Sequence, residues 1–108
     1  MRAGDSLAAR DAFERLLQLE PWNVQAHLGL GLLSGRAGDP AALTHFQQAI
    51  AYDARSASGY YHLGVTYLGL EPPRWAAALR HLRRAQRLGY AVDARLLADV
   101  AAHVRERP

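Results

Sequence analysis

Tyr60-Tyr61-His62-Leu63-Gly64-Val65-Thr66-Tyr67 sets large apolar groups at positions 60, 63 and 67, with a glycine directly after the leucine. Spacings of three, four and seven bring those groups to one face of a helix, whereas a strand would need a period of two. The segment His27-Leu28-Gly29-Leu30-Gly31-Leu32-Leu33-Ser34 repeats the Leu-Gly pair 33 residues earlier. Each of these stretches is followed by a second helical pattern. Ala42-Leu43-Thr44-His45-Phe46-Gln47-Gln48-Ala49 and Ala78-Leu79-Arg80-His81-Leu82-Arg83-Arg84-Ala85 both run from a small residue to a large apolar one four on, then to an apolar one three further. Ala9-Arg10-Asp11-Ala12-Phe13-Glu14-Arg15-Leu16 follows the same rule, and Phe13, Phe46 and Leu82 stand 33 and 36 residues apart.

Helix punctuation agrees with these periods. In Gly38-Asp39-Pro40, Asp39 is suited to cap a helix whose first residue is Pro40, where a missing N–H costs nothing. Pro21 ends one segment, Asn23 is placed to cap the next, and Pro72-Pro73 separates another two. Helices are predicted over 6–19, 23–36, 40–53, 57–70, 74–88 and 93–105. No stretch alternates as a strand would, so the class is all-α.

The two-helix period resembles the tetratricopeptide repeat, whose pattern is an aromatic, Leu-Gly and Tyr on a first helix and Ala-x-x-x-Phe followed by Pro on a second. Tyr60, Leu63, Gly64 and Tyr67 match the first helix, and Ala42, Phe46 and Ala49, with Ala9, Phe13 and Pro21, match the second twice. His27 and Ser34 depart from it where aromatics are usual, as does Leu82 in place of a Phe, and Ala54 and Tyr90 stand where the turn proline is usual. The resemblance covers about residues 4 to 90. It implies a right-handed α-α superhelix of about two and a half helix pairs with a C-terminal capping helix. A single domain spanning 1–108 is expected: 4–22 as the second helix of a partial repeat, 23–55 and 56–91 as repeats, and 92–108 as the cap. Gly31 and Gly64 are expected to admit a neighbouring helix closely, with Phe13 and Phe46 filling the gap.

Bulk composition fits one such domain. The chain has 108 residues, half of them hydrophobic and 21% charged, an ordinary globular balance. No apolar run approaches the roughly 20 residues that cross a bilayer, and the acidic start Met1-Arg2-Ala3-Gly4-Asp5 gives no expectation of a signal peptide. Cysteine is absent, which removes disulfides and thiolate chemistry and is compatible with a cytoplasmic location. All 13 cationic residues are arginine, and the net charge is +3.

Catalysis requires convergent polar groups with a nucleophile, acid or base, and no such set is legible. Gly29-x-Gly31-x-x-Ser34 approaches a dinucleotide fingerprint but lies within a helix with no strand before it. His27, His45, His62, His81 and His103 are scattered, and His45 and His81 fall at equivalent places in their repeats, which suits a shared packing position better than a ligand set. No catalytic residue, cofactor or metal is therefore expected.

The family lines its concave surface with the first helix of each repeat. Carried onto this chain, that rule selects Gln25, Leu28, Gly29, Leu32 and Arg36, then Ser58, Tyr61, His62, Val65 and Leu68, with Leu97 and Ala101 closing the far side. Members that clamp a C-terminal carboxylate use Lys, Asn and Arg there; this chain has Leu28, Leu32, Tyr61 and Val65 instead. The implied partner is a peptide or protein held by apolar and aromatic contact, with Tyr61 as its main anchor and Gln25, Arg36 and His62 orienting it. The plain alternative is that several of these residues, Leu28 and Leu68 above all, only pack. Arg80, Arg83, Arg84 and Arg87, with Arg74, form a stripe that suggests nucleic acid as the alternative ligand, set against a merely solvated outer face. Trp22 is expected to staple against His27, and both Trp22 and Trp75 to be structural.

The first helix carries Ala9, Phe13, Leu16, Leu17 and Leu19, apolar on more than one side, and leaving one such Phe or Leu in water forgoes roughly 1.5–3 kcal/mol. Its cover is expected from a preceding segment of a longer protein or from a second copy of the chain, a homodimer joined through this helix, with pure self-association as a third reading. Light scattering at high concentration checks the homodimer: a dimer mass is its expected result, and a strict monomer removes it.

Overall fold

A computed structural model describes residues 3–106. The outermost residues of the expected domain, 1–2 and 107–108, lie outside the described residues. The chain forms six helices: α1 (Ala3–Leu19), α2 (Val24–Arg36), α3 (Ala41–Tyr52), α4 (Ala57–Leu68), α5 (Trp75–Arg87) and α6 (Ala94–Glu106). Among the described residues there is no strand. The helices gather into two compact units that divide between Ala54 and Arg55, α1–α3 in the first and α4–α6 in the second.

The breaks fall where side chains satisfy orphan backbone groups. Asn23 Oδ1 accepts from Ala26 N at 2.9 Å and starts α2, and Ser56 Oγ accepts from Gly59 N at 3.1 Å and starts α4. Asp39 Oδ1 accepts from Ala41 N, the first residue of α3, at 2.9 Å, and Pro40, expected as the first helical residue, stands instead just ahead of the helix with φ −62 and ψ −13. Gly38 and Gly89, at φ +70 and +100, end α2 and α5. In both places the glycine N–H and the next residue's N–H turn back on the helix: Gly38 to Gly35 O with Asp39 to Ser34 O, and Gly89 to Gln86 O with Tyr90 to Ala85 O. This left-handed closure favours glycine, because a side chain there would crowd the backbone.

In the first unit, α2 lies against both α1 and α3. A Cβ on Gly31 would collide with the Phe46 ring, and one on Gly29 would collide with the Phe13 ring. Phe46 is 2% exposed and Ala42 and Ala49 are buried beside it, so α3 closes on α2 through one aromatic set over a glycine and bracketed by alanines. The second unit repeats the device: α5 lies on α4 with Leu82 over Gly64, where an added Cβ would stand 2.9 Å from Leu82 Cγ and 3.2 Å from the Ala78 carbonyl. Helix α6 then covers α5, burying Val100 with Ala78, Leu79, Leu82, Ala85 and Val92.

Gly31→Ala is expected to lower stability by about 1–3 kcal/mol through overpacking against a ring with no room to move. Gly35→Ala, whose Cβ would come no closer than 4.0 Å to Ala42, is expected to raise it by about 0.4–1 kcal/mol through the unfolded chain. Urea titrations followed by circular dichroism separate the two, and equal shifts would contradict the close approach at Gly31.

Candidate functional site

Positions 25, 32 and 36 follow one line along α2, and Gln25, Leu32 and Arg36 are all exposed there, Leu32 by 38%. Leu28, expected on the same line, is 7% exposed and belongs to the core. Gly29, also expected to line a groove, instead faces α1 beneath the Phe13 ring. It stands two residues before Gly31, so the two glycines point to nearly opposite sides of the helix, and each side receives a phenyl ring. What α2 leaves uncovered is thus a narrow strip, apolar only at Leu32.

The strip on α4 is broader. Ser58, Tyr61, His62, Val65 and Leu68 fall within roughly a third of the helix circumference; Val65 is 39% exposed and the others are half-buried. Tyr61 stacks on Tyr90 with ring centroids 4.3 Å apart and planes 18° from parallel, and His62 meets the Tyr61 ring edge-on at 5.3 Å. The stack is held from below, because the Gly89 turn fixes the Tyr90 backbone to Ala85 O. Tyr61, Tyr90 and Leu68 also rest on the second unit's core, as do Leu97 and Ala101 of α6. Tyr90 completes the stack; in the sequence it stands out only as an aromatic at a place where the resemblance leads one to expect a turn proline.

The arginines of α5 do not act as one row. Arg84 carries its guanidinium carbon 5.7 Å from the Tyr60 ring centroid, while Arg80, Arg83 and Arg87 line a hollow with Ala76, Leu79 and Val104. Trp75 stacks on His103 at 3.8 Å and 7°, joining the two ends of α5 and α6. Trp22 is 59% exposed, while the buried His27 has its ring on Tyr52 at 5.7 Å and donates from Nε2 to Pro21 O at 2.9 Å. That bond leaves His27 Nδ1 buried and unpartnered, and Ser34 Oγ shares the condition. His81, the counterpart of His45, meets Tyr67 at 5.3 Å and Tyr60 at 6.0 Å and reaches Ala77 O through Nδ1.

Among the described residues no three His, Asp or Glu side chains gather as a metal would require, and no helix is long and apolar enough to cross a membrane. Comparison with protein-family models, with curated proteins and with solved structures gave no match.

Two imidazoles respond to their surroundings. Burial, then the neighbouring His27 and Arg10, hold His45 below its ordinary value against the opposite pull of Asp39 and Glu14. Burial alone lowers His62. A base whose folded value lies below its unfolded 6.5 binds fewer protons when folded, so the stability it confers is complete above that pH and drains away as pH falls through it. The melting temperature is therefore expected to be level above about pH 7.5 and to decline below about pH 6.5. The double variant His45→Gln/His62→Gln should flatten the decline in a series of thermal melts; an unchanged slope would absolve both histidines.

Proposed function

We propose that the chain is a tetratricopeptide-like interaction module, a short right-handed α-α superhelix in which the first helix of each repeat holds a polypeptide segment. The observation that carries this reading is the strip on α4, where Tyr61, Val65 and Leu68 leave apolar surface partly uncovered beside the Tyr61–Tyr90 stack. Amphipathic aromatic groups on a rigid base are effective anchors, since they bury much area and lose little rotamer freedom on binding. On α2 the corresponding strip offers Leu32 flanked by Gln25 and Arg36, one apolar contact between two groups able to bond a peptide backbone or carboxylate. Leu28 supports its neighbours from within.

Two features support the repeat itself. The closure of Phe46 over Gly31 recurs as Leu82 over Gly64, in the same order along the chain, and the alanines 42 and 49 have buried counterparts at 78 and 85. No reaction is proposed for these strips.

Panning a peptide library against the purified chain is expected to enrich sequences rich in apolar and aromatic residues. Tyr61→Ala should then weaken the enriched peptides by more than about 1 kcal/mol. Val65→Asp, at a position already open to water, should do so with less effect on folding. Enriched peptides indifferent to both changes would refute the assignment of α4 as the binding helix.

A further inference from the structure

Charge is divided unevenly along the molecule. The first unit carries four arginines against six acidic residues, and the second nine arginines against four, so a modest net +3 conceals a half at −2 and a half at +5. Within the second unit the excess concentrates on one surface. Two adjoining hollows of about 440 and 350 Å³ run along α5 and α6, sharing Ala76, Arg80 and Val104. Arg74 borders the first hollow, and Arg83 and Arg87 the second. Among the described residues no carboxylate forms an ion pair with Arg74, Arg80, Arg83 or Arg87.

We infer that this groove along α5 and α6 binds an acidic, amphipathic segment of a partner polypeptide, its carboxylates set against the arginine rim and its apolar side chains laid along the floor. Arg80, Arg83 and Arg87 follow one line of α5 at intervals of three and four residues, about 4.5 and 6 Å along the axis. A partner helix with Asp or Glu at the same intervals presents its carboxylates in register with them, and guanidinium forks accept carboxylates in pairs. The floor decides between classes of polyanion. It is apolar, formed by Ala76, Leu79 and Val104, and gives leucine-like side chains a place to be buried, whereas a sugar-phosphate strand has nothing to put there. The aromatic rings at the groove are already engaged: Trp75 and His103, which line the first hollow, stack face to face on each other, and Tyr60 has Arg84 over it. This surface lies on different helices from the α4 strip, and the inference stands whether or not that strip binds a peptide.

Fluorescence anisotropy tests it with three probes: a labelled helical peptide alternating leucines with glutamates at helical spacing, the same peptide with every Glu replaced by Gln, and a labelled single-stranded oligonucleotide. The acidic peptide is expected to bind and the Gln peptide to bind at least about tenfold more weakly. Arg83→Glu should cost about tenfold or more, while Arg95→Glu, an identical charge change on α6 outside the groove, should stay within about twofold. Val104→Ser should weaken the peptide, and Val65→Asp should leave it unchanged. Equal losses in Arg83→Glu and Arg95→Glu would overturn the inference, reducing the effect to overall charge. So would an oligonucleotide that binds more tightly than the peptide, is sensitive to Arg83→Glu and ignores Val104→Ser. Self-association of the chain that Arg83→Glu abolishes would also overturn it, since the groove's occupant would then be a second copy. Circular dichroism melts confirm that each variant is folded.

Discussion

A hydrogen atom in place of a side chain at two positions governs this molecule. Because Gly31 and Gly64 have no Cβ, Phe46 and Leu82 can lie directly on the backbone of the preceding helix, and each helix pair closes at a distance that alanine would not allow. Glycine within a helix costs about 0.5–1 kcal/mol relative to alanine, and burying a phenylalanine or leucine contributes roughly 1.5–3 kcal/mol, so the exchange favours the folded chain. The same contact also decides what remains open. Once one side of α4 is taken by Leu82, the strip centred on Val65 is turned to another side, and in α2 the second glycine at 29 commits a further side to Phe13.

Most of the helical architecture was legible because its punctuation is local. Asn23, Asp39 and Pro40 act on atoms two or three residues away, and the predicted and observed helices differ by no more than three residues at any end. Roles that depend on which element lies across a helix were not legible. The spacing of Leu28 and Gly29 is equally compatible with a groove and with a neighbour, and only the position of α1 and the core decides it. For the same reason Tyr61 could be picked as an aromatic of interest while its partner, Tyr90, could not: the pairing runs between helix α4 and a turn 29 residues further along. Arg84 shares its spacing with Arg80 and Arg87 and is separated from them only by the presence of Tyr60.

Equivalent slots in the two units are filled differently, with physical consequences. Around His81 stand Tyr60 and Tyr67, both polarisable and both large. His45 has His27 6.3 Å away, and the first unit carries Ser34 at the position that matches Tyr67. The smaller, more polar pair leaves one imidazole nitrogen and one hydroxyl buried without partners. Each such atom costs about 1–3 kcal/mol, so the first unit holds together at a disadvantage that the second avoids, and the added phenyl contact from α1 at Gly29 partly offsets it.

The two tryptophans have separate fates, and that gives the molecule a built-in pair of optical reporters. Trp22, in the first unit, meets water over 59% of its surface, where indole emission is shifted to the red. Trp75, in the second, lies flat against the His103 imidazole, a neighbour that quenches indole when it carries a proton. Colour and intensity thus encode different halves of the chain, and one emission spectrum followed through a melt distinguishes the loosening of either half without any label.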